Sequence, residues 1–368
     1  MGNILRNKSI ASLEIIRRAL KDESSNSREE LDDVIFNSIE DTKFSHSDTD
    51  FERVAHVFHT EWLGIRSACG SIPGLKCAIP ADRPLSREDL DRIGSELIRR
   101  GADRIVLHGF SPNMDKLVRQ FSQSFVGLQL FVVLHGSSPQ WVLEYDRDAV
   151  QRVLGLAREG LIRRFQIMKA GQETLLYNQY RPILFNLGPR LSGTYTTIDG
   201  ARAREAKLAI APGWQAVHKN TATNVAGGLL ANRIAEVWTF RGSFDFRNIS
   251  EKPVRNLTHR SRAEVIEVLA RASICLNVSL LDCHPMTNLE AQAVGTPCLR
   301  GPLFLDYGDD HQYVRLTEVM NVCSMRAIAE VADRCLAVPW SEMQSMIEEY
   351  TAIMKRKSLE RYREFLSV

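Results

Sequence analysis

No apolar run in this chain approaches the ~18 residues that a membrane-spanning helix needs. No C-x-x-C pair and no zinc-type spacing occurs among its seven cysteines, at 69, 77, 275, 283, 298, 323 and 335. The count is odd and most lie in apolar stretches, where free cysteine behaves as a small hydrophobe. A disulfide framework is therefore excluded, and a reducing, cytoplasmic setting is expected. Charge of one sign is lacking as well. With 47 basic and 45 acidic side chains the net charge is +2, which removes the general electrostatic case for a polyanion partner. The opening MGNILRNKSIASLEIIRRALKDE is amphipathic and charged, unlike a secretory leader, and Arg6 stands where a myristoylation signal needs Ser or Thr. There is no internal repeat and no low-complexity segment. The sequons at Asn248, Asn256 and Asn277 have no secretory context, and Asn277 falls in an apolar run.

What remains is a globular composition, 44% hydrophobic and 25% charged, over 368 residues, which is about two domains of ordinary size. Residues 1–50 carry two polar helical patterns and a linker, read as an accessory extension. From residue 51 short apolar runs alternate with amphipathic stretches. Strands are expected at 53–59, 77–81, 103–109, 128–136, 163–171 and 182–188, with helices between them; one is capped by Ser86 and stopped at Gly101. GTYTTIDGARAREAK, 193–207, is a Gly- and Thr-rich break. A second alternation follows, with strands at 207–213, 235–242, 253–258 and 274–279, and TPCL, 296–299, starts a further one. A long charged helix runs from Ser341.

This pattern predicts an α/β protein of two Rossmann-like domains with parallel sheets, at 51–195 and 196–340, with a closing helix over 341–368. In such sheets ligands bind beyond the carboxyl ends of the strands, so residues just after strands deserve the chemical reading. Three strand ends carry histidine: His59 in VFHTEW, His108 in LHGFSP and His135 in LHGSSP. One such histidine is ordinarily a satisfied turn residue, whereas three in one domain point to a pocket. Beyond the first strand of the second domain, Gly213 leads to Lys219 at the start of a helix. A cation there opposes the helix dipole unless an anion lies between it and the free amides.

LDCHPMTNLEAQAVGTPCL, 281–299, holds two carboxylates eight positions apart, Asp282 and Glu290. Thr287-x-x-Glu290 reads as a capping box. That leaves Asp282, His284 and Pro285 unexplained. A turn through Pro285 would present the amides of Met286, Thr287, Asn288 and Leu289 to the cleft. With Lys219 they would suit a diphosphate, leaving Glu290 for ribose hydroxyls and Asp282 for sugar hydroxyls.

With NVSLLDCHPMTNLEAQAVGTPCLRG the sequence resembles the retaining glycosyltransferases of the two-Rossmann-domain GT-B architecture, in particular the glycosyltransferase 4 family. The first carboxylate of its E-x7-E motif is replaced by Asp282, and Glu290 to Pro297 follow its Glu-Ala-x-Ala-x-Gly-x-Pro pattern. FVVLHGSSP is similar to the strand ending in that family's acceptor-side histidine, here His135, and FNLGP to its Asn-Gly strand end at the domain junction. The resemblance implies metal-independent transfer from a nucleotide-sugar donor, with retention and no cofactor. Glu290 would bind ribose, Asp282 would face the donor sugar and residues 283–288 would contact sugar and phosphates. Lys219 would neutralise the leaving diphosphate, and His135 would orient sugar or acceptor. Gly64 is the best counterpart of the glycine-rich acceptor-side loop. The chain departs from the family in lacking the arginine that precedes the lysine; Gly213 and Trp214 occupy that region. The run DYGDDH, 306–311, reads as a solvated loop, not a metal site.

An epimerase or phosphorylase on the same scaffold, and a non-catalytic binding protein with a degenerate site, are competing readings. The acceptor is not legible: a sugar, a lipid-linked glycan, a metabolite, a protein or a nucleic acid would all be compatible. The basic tail KRKSLERYR, 355–363, offers a peripheral membrane or polyanion contact, its plainer role being a solvated helix face.

Overall fold

A computed structural model of the chain describes residues 50–367, except 82, 173–178, 190–206, 214–215, 241–244, 258–260 and 306–308. The two helices read in the N-terminal extension, nearly all of the 193–207 break, Trp214 and part of DYGDDH lie outside the described residues.

The first unit runs β1 (Val54–His59), α1 (Leu63–Ser71), β2 (Leu75–Ile79), α2 (Arg87–Arg99), β3 (Arg104–His108), α3 (Pro112–Ser124), β4 (Gln129–Leu134), α4 (Glu144–Arg158), β5 (Arg164–Ile167). The second runs β6 (Leu208–Ala211), α5 (Thr221–Leu230), β7 (Glu236–Thr239), β8 (Val254–Asn256), α6 (Arg262–Arg271), β9 (Ile274–Asn277), α7 (Met286–Ala293), β10 (Cys298–Arg300), then α8 (Gln312–Thr317), α9 (Met325–Ala337) and α10 (Trp340–Leu366). Each unit holds a five-stranded sheet in which all described pairings are parallel: β2-β1-β3-β4-β5 and β10-β9-β6-β7-β8. Helices cover both faces, and strands such as VAHVFH and QLFVVL are accordingly buried along almost their whole length. Ser86 with Asp89, and Ser261 with Glu264, form capping boxes at α2 and α6.

Two sequence expectations are corrected. The run 182–188 is not a strand. It crosses the junction as an irregular segment, with Ile183 and Phe185 in the core of the second unit and Leu184 and Leu187 in a cluster of the first. Its alternation arises because it is sandwiched between two cores. Side chains from elsewhere serve its backbone: Ser358 Oγ donates to the Phe185 carbonyl at 2.6 Å, and the Asn186 amide donates to His284 Nδ1 at 3.0 Å. The second correction concerns α7. Pro285 is its N-cap residue and makes no side-chain cap bond, so Thr287 lies inside the first turn and no capping box forms. Glu290 is released from that duty and bonds elsewhere.

α10 joins the units. Met343, Ile347 and Tyr350 pack in the core of the second, while Tyr362, Phe365 and Leu366 pack with Phe51, Val106 and Phe131 of the first. The buried Arg300 guanidinium donates to Tyr350 Oη at 2.9 Å, which anchors the helix on β10.

Candidate active site

The strand orders locate the crevices. In the first sheet the order reverses between β1 and β3, and in the second between β6 and β9. These are the topological switch points, where the loops diverge and leave room for a ligand. The loop after β6 carries Lys219 and the loop after β9 carries Asp282, so the second switch point brings the two together. Lys219 Nζ donates to Asp282 Oδ1 at 2.8 Å and Oδ2 at 3.0 Å. The Leu280 amide donates to the His218 carbonyl at 2.8 Å and ties the loops to each other. Lys219 ends a short 3-10 turn, and Asn220 follows in the left-handed region at φ 53° before α5 starts. Its own side chain donates to the Val278 carbonyl, again across the switch point. Gly213 is set by packing, since a Cβ there would lie 2.5 Å from Thr221 Oγ1.

α7 aims its first turn into the same region. Helix geometry leaves the Met286 and Thr287 amides without intrahelical acceptors, and the Asn288 amide donates to the Pro285 carbonyl. Glu290 Oε1 accepts from Arg262 Nε at 3.2 Å and from Ser67 Oγ at 2.9 Å. Ser67 belongs to α1 of the first unit, so this bond crosses the cleft, and Ala68 packs on Met286 and Leu289 beside it. Two further bonds cross: Lys169 Nζ to the Asp282 carbonyl at 2.9 Å and Asn186 Nδ2 to the His284 carbonyl at 2.7 Å. His284 is a junction latch. Its Nδ1 accepts a backbone amide, and burial holds its pKa down at about 3, with Arg300 adding to the effect. Asn288 Oδ1 accepts from Asn277 Nδ2 at 2.7 Å and helps to seat α7 on β9.

In the first unit His108 and His135 belong to one chain with a third member, His56. His56 stands on β1 and His108 on the neighbouring β3, and His135 directly follows β4 on the other side of β3. The Pro73 carbonyl can only accept, so His56 Nε2 carries the proton and donates to it at 2.9 Å. His56 Nδ1 must then accept from His108 Nε2 at 2.8 Å, and His108 Nδ1 from His135 Nε2 at 3.0 Å. One carbonyl thus fixes three tautomers and leaves His135 Nδ1 as a bare acceptor, for which the described residues supply no donor. Burial, chiefly, holds His56 and His108 well below the ordinary imidazole range and His135 at about 4. The Lys76 ammonium, hydrogen-bonded to the Ile72 and Gly74 carbonyls, adds to the effect on the first two. His56 was not singled out from the sequence, although a histidine inside a fully buried strand is itself a signal. His59 is separate: Nδ1 bonds the Ile79 carbonyl at 3.0 Å, Nε2 lies 2.8 Å from Ser111 Oγ, and the ring meets the edge of Trp62.

A cavity of about 280 Å³ opens at the first switch point, with Trp62, Gly109, His135, Trp141, Tyr145 and Asp146 among its lining residues. Gly109 is required twice over: its φ is +74°, and a Cβ would fall 2.5 Å from the Trp62 ring. Gly109→Ala is expected to lower stability by about 1–3 kcal/mol and to displace Trp62. Denaturant unfolding and tryptophan emission would check this, and an unchanged midpoint would contradict it. Gly64 is exposed in the first turn of α1, and a Cβ there meets nothing within 4 Å, so the protein's own packing does not demand glycine.

No protein-family model matches the chain, and no curated protein sequence matches it. Solved structures do. Sucrose-phosphate synthase from Thermosynechococcus elongatus superposes with a TM-score of 0.56 at 14% identity, over 86% of this chain and 99% of that one. A UDP-forming α,α-trehalose-phosphate synthase from Burkholderia xenovorans, in complex with glucose-6-phosphate, gives 0.54 at 11%, over 86% and 99%. An Escherichia coli trehalose-6-phosphate protein bound with UDP-2-fluoro glucose gives 0.54 at 10%, over 84% and 97%. The chain has the GT-B fold. Both units are shared with these glycosyltransferases nearly end to end, so the cleft between the two carboxyl edges is a feature of the whole architecture.

Proposed function

We propose that the chain is a nucleotide-sugar-dependent glycosyltransferase, retaining and independent of metal, with the donor seated between α7 and the Lys219 loop. The observation that carries this reading is the convergence of Lys219, Asp282, the α7 amides and Glu290 at the second switch point. The chemical task is to stabilise a departing diphosphate. Lys219 and the Met286 and Thr287 amides supply preorganised positive charge where negative charge develops. Glu290 accepts from ribose hydroxyls, Asp282 faces the sugar while holding Lys219, and His135 offers a neutral acceptor from the other unit. The structural neighbours handle UDP-linked sugar chemistry, which agrees with this assignment.

The test is nucleotide release and thermal stabilisation with UDP-, GDP- and TDP-sugars, with Glu290→Ala as the control. If no nucleotide sugar raises the melting temperature and none is turned over, the reading fails. The bond from Ser67 supplies a finer check. Ser67 and Arg262 both donate to Glu290 Oε1, which leaves Oε2 to accept from a ribose hydroxyl, so Ser67→Ala is expected to change nucleotide affinity by less than about threefold. Calorimetric titration would measure it. Weakened binding, as with Glu290→Ala, would instead make Ser67 a nucleotide contact.

A further inference from the structure

The cavity at the first switch point has a composition that selects its occupant. Trp62 and Tyr145 meet edge to face with ring centroids 6.0 Å apart, and Trp141 and Phe110 extend the aromatic wall. Tyr145 Oη donates to the Phe110 carbonyl at 3.2 Å, which fixes that ring. The polar groups beside these rings are His135, whose Nδ1 can only accept, and Asp146, in the first turn of α4. Asp146 is half-buried, the described residues give its carboxylate no hydrogen bond or ion pair, and burial raises its pKa. Among the described residues that line the cavity there is no Lys or Arg. Arg152, one and a half turns further along α4, is directed to Asp115 at 4.0 Å.

A phosphate group would enter here against a carboxylate, with no Lys or Arg among the described lining residues to receive it. A neutral sugar ring fits the same wall: its C–H faces lie on aromatic rings and its vicinal hydroxyls donate to a carboxylate that lacks a donor. A cavity of about 280 Å³ is the size of one such ring. We infer that this cavity binds an unphosphorylated sugar ring, with Asp146 accepting its hydroxyls and Trp62, Trp141 and Tyr145 covering its apolar face. As the acceptor site of a transferase this rests on the reading above, and it separates this chain from the neighbour whose structure holds glucose-6-phosphate.

The experiment titrates the whole chain, without any donor, with phenyl β-D-glucoside, glucose 6-phosphate and benzyltrimethylammonium, following tryptophan emission and calorimetric heat. The glucoside is expected to saturate and glucose 6-phosphate to show no binding. Asp146→Asn, nearly isosteric, is expected to lose about tenfold in glucoside affinity, and Tyr145→Ala a similar factor, with unfolding midpoints confirming that both fold. Binding of glucose 6-phosphate as tight as that of the glucoside overturns the inference. Binding of the ammonium alone, or of none of the three, does so too. The same mixtures are then supplied with nucleotide sugars. A glucoside that binds but is never glycosylated, with no turnover of any donor, counts against the transferase reading and leaves the sugar site standing. Transfer to glucose 6-phosphate alone does the reverse.

Discussion

Lys219→Ala is expected to abolish most of the transfer rate and to destabilise the fold at the same time. The two effects have separable causes. Lys219 is the partner of both Asp282 oxygens, and the Asp282 side chain is only 10% exposed. Removing the ammonium leaves a largely buried carboxylate without its counter-charge, which costs about 2–4 kcal/mol, a little less than for a wholly buried pair because the lysine side is 21% exposed. The catalytic loss is different in kind. A charge preorganised against a leaving diphosphate contributes on the order of 10²–10³ in rate. The double variant Lys219→Met with Asp282→Asn distinguishes them. It removes both charges, so stability should return toward that of the parent while turnover stays low. Denaturant unfolding and nucleotide release measure the two quantities independently. A Lys219→Ala protein that turns over at the parent rate would sink the proposed role of this residue. A double variant as unstable as the single one would show that the pair matters for packing and not for charge.

The same pair shows where the sequence was informative. Lys219 and Asp282 lie 63 positions apart and each follows an apolar strand, so the parallel-sheet rule alone put both at a strand end. That they face each other depends on strand order, which the pattern does not encode: β9 inserts next to β6, not next to β8. The ten strands described were legible from apolar runs and the helix starts at Ser86 and Ser261 from their capping chemistry. The errors came where tertiary contacts override a local signal. Thr287-x-x-Glu290 satisfies the capping pattern, yet Pro285 starts the helix two residues earlier, and Ser67 and Arg262 draw the Glu290 carboxylate away. The run 182–188 has strand alternation because two cores flank it. The aromatic cavity was missed because Trp62 stands far along the chain from Trp141 and Tyr145; only the fold brings them together.

Acidification from pH 7 to pH 5 is expected to unfold the protein with an unusually steep dependence, because three fully enclosed imidazoles are held neutral. His56, His108 and His284 are each at most 4% exposed, and burial is the first cause of the lowered pKa in each. The unfolded chain takes up a proton on each near pH 6.5, whereas the folded chain does so only at a lower pH. Between those values the unfolded state binds more protons, so stability is full above about 6.5 and falls as the pH drops through that window. Each such histidine contributes about 1.4 kcal/mol per pH unit, so three together give a slope of about 4 kcal/mol per unit. His135, held at about 4, adds in the same direction. Asp146 and Glu318, whose pKa values are raised chiefly by burial, oppose the loss only at the acid end, where carboxylates titrate. The slope is therefore best measured between pH 6.5 and 5. Denaturant midpoints taken every half unit would give it, and imidazole nitrogen resonances should report neutral rings with the proton on Nε2 for His56 and His108. A stability profile flat across that window would mean that the histidine chain takes up protons in the folded state. The single tautomeric direction set by the Pro73 carbonyl would then be wrong, and with it the reading of His135 Nδ1 as a neutral hydrogen-bond acceptor at the cavity.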